Sequence, residues 1–439
     1  MTRLSMKCSA PARHRDRGLL EWMALLLTCM LSLFPVSAGA NENTTAEATP
    51  FAMSVYLYRS EGPFPTLDPV IGLGQVAGLP FEKLNDSHFN LGFTIDRVWV
   101  KVRITNLSHA SQSRMLETGQ RYMRPLIVYE QRRPGNMTRL LYNDQFQSFS
   151  ERPVDFRDLT LPLDFAPGET KTLFLYVGSG GELALNLTLS TPMEVINRNF
   201  LELARATFFL GTIFVLMLLS LFKFNTYRDP VYLIYSAHLI AVSLYFVHLD
   251  GFTFQFLWPD SPRFNAVCSR LLAHINNLML LALAYRLFNL RTLEGYFRYV
   301  MTGSLIVSGI CVLLILIINP QFSMQISVLN AGILGFSMMM LSFFTWLRNI
   351  PGAVYLMVSW FGACMVMSWV GLGIMGVISE THFSIAPLKF AGISHALLTY
   401  IALTTHSGKD PGRQYNWAAD SKGRPLALEG NYGDRESTW

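Results

Sequence analysis

The sequence predicts a β + α membrane protein: an exported β-sandwich followed by a seven-helix transmembrane bundle. Three observations carry that reading. An apolar run behind a cluster of arginines opens the chain; apolar residues alternate with polar ones as far as about residue 195; and from Thr207 onward they form long unbroken blocks. The bulk numbers agree, because 51 % of residues are hydrophobic and only 15 % are charged, too few charges to cover a soluble surface of this size.

The first element is an export signal over residues 1–40. Arg13, Arg15 and Arg17 precede the apolar stretch Leu19–Phe34, and Ser37-Ala38-Gly39-Ala40 supplies small residues for cleavage after Ala40. An uncleaved anchor is the alternative. Either way, residues from Asn41 onward lie outside the cytoplasm.

Residues 41–197 form the exported β domain. In Arg97-Val98-Trp99-Val100-Lys101-Val102-Arg103-Ile104 the valines and isoleucine share one strand face, and Arg97, Trp99, Lys101 and Arg103 share the other. Leu183, Leu185, Leu187 and Leu189 alternate in the same way. Leu126–Glu130 and Thr138–Tyr142 flank Arg133-Pro134-Gly135-Asn136, a hairpin signal. Many short strands between turn signals predict a β-sandwich. The cysteines at 8, 29, 268, 311 and 364 all fall outside this domain, so its core, not disulfides, stabilises it.

Trp99 has two readings. As an aromatic plate beside Arg97, Lys101 and Arg103, with Arg152 on a rim that also holds Asp155 and Arg157, it suits stacking on a sugar ring while the cations bond hydroxyls or a carboxylate. Alternatively the sandwich buries both faces of the strand, with the aliphatic stems of the basic residues packed over the indole.

Residues 198–405 hold seven apolar segments, near 205–224, 230–249, 266–288, 299–318, 325–347, 353–378 and 386–405. Each is long enough to cross about 30 Å of hydrocarbon. With the start outside, the cytoplasmic turns carry Lys223, Arg228, Arg286, Arg291, Arg298 and Arg348, which agrees with the positive-inside rule. The net charge of +5 is distributed among these turns rather than in a stripe, which argues against nucleic acid. Residues 406–439, about 34 in number and rich in Gly, Asp, Asn, Arg and Ser, read as a short disordered cytoplasmic tail, too short to bury a catalytic core.

Ionisable side chains at membrane depth are functional candidates. Arg270, His274 and Asn277, spaced i, i+4 and i+7, line one face of the third span, His238 lies in the second and His395 in the seventh. They are candidates for a signal relay, for contact with an anionic headgroup, or for hydrogen bonds that fix packing. The histidines are scattered, which gives no metal site, and no spacing proposes a catalytic triad or a cofactor.

The runs Tyr227-Arg228-Asp229-Pro230-Val231-Tyr232-Leu233-Ile234-Tyr235 and Gly251-Phe252-Thr253-Phe254-Gln255-Phe256-Leu257-Trp258-Pro259 resemble the membrane portion of the bacterial seven-transmembrane receptors with diverse intracellular signalling modules. The stretch Val98–Asn106 and Glu151-Arg152-Pro153 resemble that family's type 2 extracellular domain. The resemblance implies a jelly-roll-like periplasmic sensor of carbohydrate-like or other small ligands, in a multi-pass protein of the bacterial inner membrane, without enzymatic activity. It also implies a signal passed to a separate cytoplasmic partner, since the cyclase, kinase or phosphatase module usual in the family is not evident. The rival readings are a transporter or channel using Arg270, His274, His238 and His395, and a truncated receptor that has lost its output module.

Overall fold

The computed structural model describes residues 50–59, 76–93, 98–119, 121, 125–133, 136–143, 147–178, 182–288, 295–347, 350, 352–374 and 386–407. The export signal, Arg97 and the tail beyond Ser407 lie outside them.

Eleven strands are described: β1 (Phe51–Arg59), β2 (Glu82–Lys83), β3 (His88–Phe93), β4 (Val98–Asn106), β5 (Gln112–Glu117), β6 (Leu126–Arg133), β7 (Asn136–Asn143), β8 (Thr160–Phe165), β9 (Thr170–Val177), β10 (Glu182–Asn186) and β11 (Thr188–Ser190). An antiparallel six-stranded sheet has the order β2-β1-β4-β9-β6-β7, and two small sheets, β11-β5-β8 and β10-β3, complete the domain. From β4 to β10 the chain crosses repeatedly between the large sheet and the small ones, as in a jelly roll. The alternating residues of β4 decide the layering. Val98, Val100, Val102 and Ile104 are fully buried with Leu173, Leu175 and Val177 of β9, facing Leu161, Leu163 and Phe165 of β8 and Leu183 and Leu185 of β10. β6 and β7 pair as the expected hairpin, Glu130 opposite Thr138.

One expectation needs correction, and one choice between two readings is decided. The leucine alternation at 183–189 is not one strand. It breaks at Leu187, where the chain leaves β10 for β11 in another sheet, and Gly119 packs so closely there that a Cβ would lie 3.2 Å from Cβ of Asn186. The outer face of β4 is not open either. Trp99, Ile127, Tyr129, Phe174 and Tyr176 form a second core with Val76, Leu79 and Phe81 of a segment lying over the sheet. Trp99 is 6 % exposed, with Tyr176 and Tyr129 at 5.0 and 6.2 Å between ring centroids. The reading with both faces buried is the one the structure has.

Seven helices are described after the strands: α1 (Pro192–Tyr227), α2 (Pro230–Leu249), α3 (Pro262–Leu287), α4 (Tyr296–Leu313), α5 (Pro320–Leu347), α6 (Ala353–Ile374) and α7 (Ala386–Ser407), with a π-helical turn at Thr253–Leu257. Among the described residues, six of the helices are long and apolar enough to cross a membrane. The seventh, α7, carries Lys389 and His395 and packs against α1 and α6. Helix α1 starts earlier than its apolar residues suggest. Thr191 caps it and Glu194 returns the bond, with Pro192 in the first turn. Its 36 residues give a length of about 54 Å, so nearly half of it projects beyond a hydrocarbon core of about 30 Å.

Candidate functional site

The projecting turns of α1 meet the β domain at a buried, charge-balanced junction. Arg121, just after β5, donates through Nε to Asp158 at 2.7 Å and through Nη2 to Glu202 of α1 at 2.6 Å; its Nη1 lies 3.6 Å from Asp250, the C-cap of α2. Arg157 shares the same Glu202 oxygen at 3.2 Å, bonds Asn199 of α1, and donates to the Asp250 carbonyl. Lys389 of α7 reaches Asp250 at 2.6 Å. Three cations and three carboxylates therefore tie the β domain to α1, α2 and α7 at once. Burial alone lowers the pKa of Arg121, but Asp158, Glu202 and Asp250 outweigh it and hold the guanidinium above its ordinary value. For Arg157 burial wins over Glu202 and the shift is downward.

Aromatic rings and backbone turns fix these groups. Arg157 lies over the Phe252 ring at 4.1 Å. Arg152 lies over Phe149 at 4.7 Å and Phe254 at 5.6 Å, and donates to the carbonyls of Arg121, Phe156 and Arg157. Gly251 adopts φ +84°, and a Cβ there would meet Arg121 and Arg157 side chains at 3.4 Å. The Phe149 amide donates to the Pro259 carbonyl at 2.9 Å, adding a main-chain link. One turn from the start of α1, Arg198 pairs with Glu117 of β5 at 3.3 Å and reaches Ser190 of β11. Burial raises the Glu117 pKa, partly offset by Ser190 and Arg198.

Because Glu202 of α1 serves both Arg121 and Arg157, and Asp250 at the end of α2 serves both Arg121 and Lys389 of α7, a shift of the β domain alters bonds that reach three helices.

Comparison with known families agrees with this division. Residues 56–191 match the 7TMR-DISM extracellular 2 domain, and residues 203–405 match the 7TM diverse intracellular signalling domain, together more than half of the chain. The chain belongs to the 7TMR-DISM receptors. It is thus a membrane signalling receptor with an extracellular sensor domain N-terminal to its helices. No curated protein matches it.

In this 7TMR-DISM receptor the sequence-predicted ligand residues that are described, Trp99, Lys101, Arg103 and Arg152, do not form one surface. Trp99 is in the second core. Lys101 lies over the rings of Tyr56, Phe81 and Phe174 at 5.8 to 5.9 Å, so its charge is part of that core's edge. Arg103 is exposed on the same strand. Arg152, read as a possible rim residue, is buried in the junction, where its guanidinium satisfies backbone carbonyls instead of facing solvent.

The membrane candidates fall into two groups. His238 and His395 bring α2 and α7 together, ring centroids 6.3 Å apart, with Ser359 of α6 on His395 Nδ1 at 2.7 Å and Trp360 against the ring. His274 and Asn277 face α5, where Ser323, Ser327 and Asn330 repeat the i, i+4, i+7 spacing, while Arg270 bonds the Ile315 carbonyl just past α4. His274 contacts Ser323 at 3.5 Å, Asn277 donates to the Ser327 carbonyl at 3.4 Å, and Asn330 continues to Ser308 of α4 at 2.8 Å. Among the described residues no hydrogen bond or ring contact joins the two groups.

Sequence reasoning missed Arg121, Glu202 and Asp250 and gave Lys389 no role. A signal existed. Glu194, Arg198 and Glu202 are spaced by four ahead of the apolar block, as on one face of a helix.

Proposed function

We propose that this receptor binds a small, carbohydrate-like or other organic ligand on its β domain and passes the change through the Arg121–Glu202–Asp250–Lys389 junction to the helices. The β domain stands outside the cytoplasm of a bacterial cell, and the helices hand the signal to a separate cytoplasmic partner. The receptor itself has no catalytic role in this reading. The shared carboxylates of the junction carry the proposal: a ligand that favours one placement of the β domain shifts the helices by its differential affinity for the two placements. The two polar groups within the bundle then serve as hydrogen-bonded contacts that re-form in either arrangement.

The test uses the full-length protein in nanodiscs and a broad panel of neutral sugars, sugar acids and organic acids. At least one compound raises the melting temperature, and that compound also changes hydrogen exchange at 250–258, a segment beyond the β domain. A panel with no thermal response, or a response confined to the β domain, counts against the proposal.

A further inference from the structure

Among the described residues, Arg270 is a buried cation of the bundle whose surroundings do not account for its charge. It is 8 % exposed. Its Nη1 donates to the Ile315 carbonyl at 3.2 Å, at the end of α4, while its Nε is buried without a hydrogen-bond partner. Neither α3, which carries it, nor α4 and α5, which pack against α3, contains an Asp or Glu, and among the described residues no carboxylate pairs with it. By contrast Arg121 and Arg157 of the junction each have a carboxylate, and Arg152, equally buried, donates to three backbone carbonyls where Arg270 has one. A cation at membrane depth without a counter-charge is costly enough that one is expected from outside the chain.

The neighbourhood specifies its kind. Arg270 lies eight residues into α3, about 12 Å along the helix from the end nearest the β domain. Helix α3, with 26 residues, is about 39 Å long and, centred on about 30 Å of hydrocarbon, overhangs it by about 4–5 Å at each end, so this position is about 7–8 Å below the level where headgroups meet acyl chains, a depth from which a long arginine side chain reaches a headgroup. Beside the Ile315 carbonyl, Leu313, Leu316 and Ile317 are 81 to 83 % exposed and apolar. One turn deeper, His274 contacts Ser323 through Nε2 and leaves Nδ1 without a partner. A guanidinium, a second ring nitrogen and an apolar strip side by side match an amphiphile with an oxyanion at its head.

We infer that Arg270, with His274, binds the phosphate of an anionic lipid headgroup whose acyl chain lies along Leu313, Leu316 and Ile317. The site is independent of the ligand proposed for the β domain and stands or falls separately from it.

Native mass spectrometry of the full-length protein in mild detergent tests this, with phosphatidylglycerol, phosphatidylcholine or inorganic phosphate as the added probe. The wild type retains phosphatidylglycerol in preference to phosphatidylcholine. Arg270→Gln weakens that retention about tenfold, the loss expected for a charge-assisted bond, Arg270→Lys weakens it less, and Arg263→Gln, exposed at the same end of α3, leaves it unchanged. Equal retention by the wild type and Arg270→Gln overturns the inference, as does a wild type that holds both lipids equally; that second comparison decides even if the variants do not fold. Arg270-dependent binding of inorganic phosphate without phosphatidylglycerol retention overturns the lipid as the source of the anion.

Discussion

Replacing Glu202 by Gln removes one charge from the middle of the junction while keeping the size of the side chain. The carboxylate accepts from Arg121 at 2.6 Å and from Arg157 at 3.2 Å, and the three side chains are 28, 16 and 5 % exposed respectively. Breaking a fully buried pair costs about 3–5 kcal/mol. Here the loss is smaller, because Arg121 keeps Asp158 and Asp250, Arg157 keeps Asn199 and a carbonyl, and Glu202 is partly solvated. About 2 kcal/mol remains, which is roughly a 30-fold change in the equilibrium between docked and undocked β domain. Hydrogen–deuterium exchange on full-length protein in nanodiscs reads this directly. Peptides over 147–158 and 250–258 exchange roughly 30-fold faster in Glu202→Gln, while β4 and β9, buried in the sandwich core, keep their wild-type protection. A change of less than about threefold at the junction refutes the magnitude. Equal acceleration through β4 and β9 refutes the claim that the network joins two separately stable parts.

Three further outcomes follow from local geometry. Gly251→Ala, at φ +84°, lowers stability by about 1–2 kcal/mol in thermal melts, and Gly251→Asn recovers part of it, because Asn tolerates that backbone region better; identical melting of Ala and wild type excludes the turn as a constraint. Trp99→Ala costs about 3–5 kcal/mol, as for a large side chain removed from a core, and makes the β domain protease-sensitive in membrane vesicles; unaltered resistance would mean that the indole is not buried. Glu130, although burial pushes its carboxyl upward, is held below its ordinary pKa by hydrogen bonds from Lys171 and Arg132. A depressed carboxyl pKa gives stability that is complete above the unfolded value, about 4.3, and lost as pH falls through the folded value. Melts from pH 7 to pH 3 therefore show Glu130→Gln less stable at pH 7, by about 1 kcal/mol, and nearer the wild type at pH 3; an equal deficit at both ends contradicts the pairing.

The fold was readable where burial follows a single periodicity. Alternation in β4 placed Val98, Val100, Val102 and Ile104 in the core because one face of that strand packs on the opposing layer, and the apolar blocks located the spans because lipid tolerates little else. Alternation cannot show what covers the other face, so Trp99 had two readings until the segment carrying Val76, Leu79 and Phe81 was seen lying over it. Nor can it show a strand changing sheets, as at Leu187, where the leucine period continues across the break. The start of α1 was missed because hydropathy marks only what lies in lipid, while Thr191-Pro192 and Glu194 begin the helix well before it. On α3 the i, i+4, i+7 spacing correctly put Arg270, His274 and Asn277 on one face; that α5 answers with Ser323, Ser327 and Asn330 depends on helix packing. The junction was the least legible part. Arg121, Glu202, Asp250 and Lys389 span most of the chain, and only the tertiary fold brings their charges within bonding distance.

Sensing on one side and signalling on the other requires the β domain and the tail to lie on opposite sides of the membrane. The β domain has no cysteine of its own, so Leu107→Cys, at a site 62 % exposed, is a clean reporter in intact cells whose outer membrane has been made permeable. A membrane-impermeant maleimide labels Leu107→Cys there and labels Ser421→Cys only after the inner membrane is opened. The reverse pattern, or labelling of both positions before opening, contradicts a receptor that senses on one side and signals on the other.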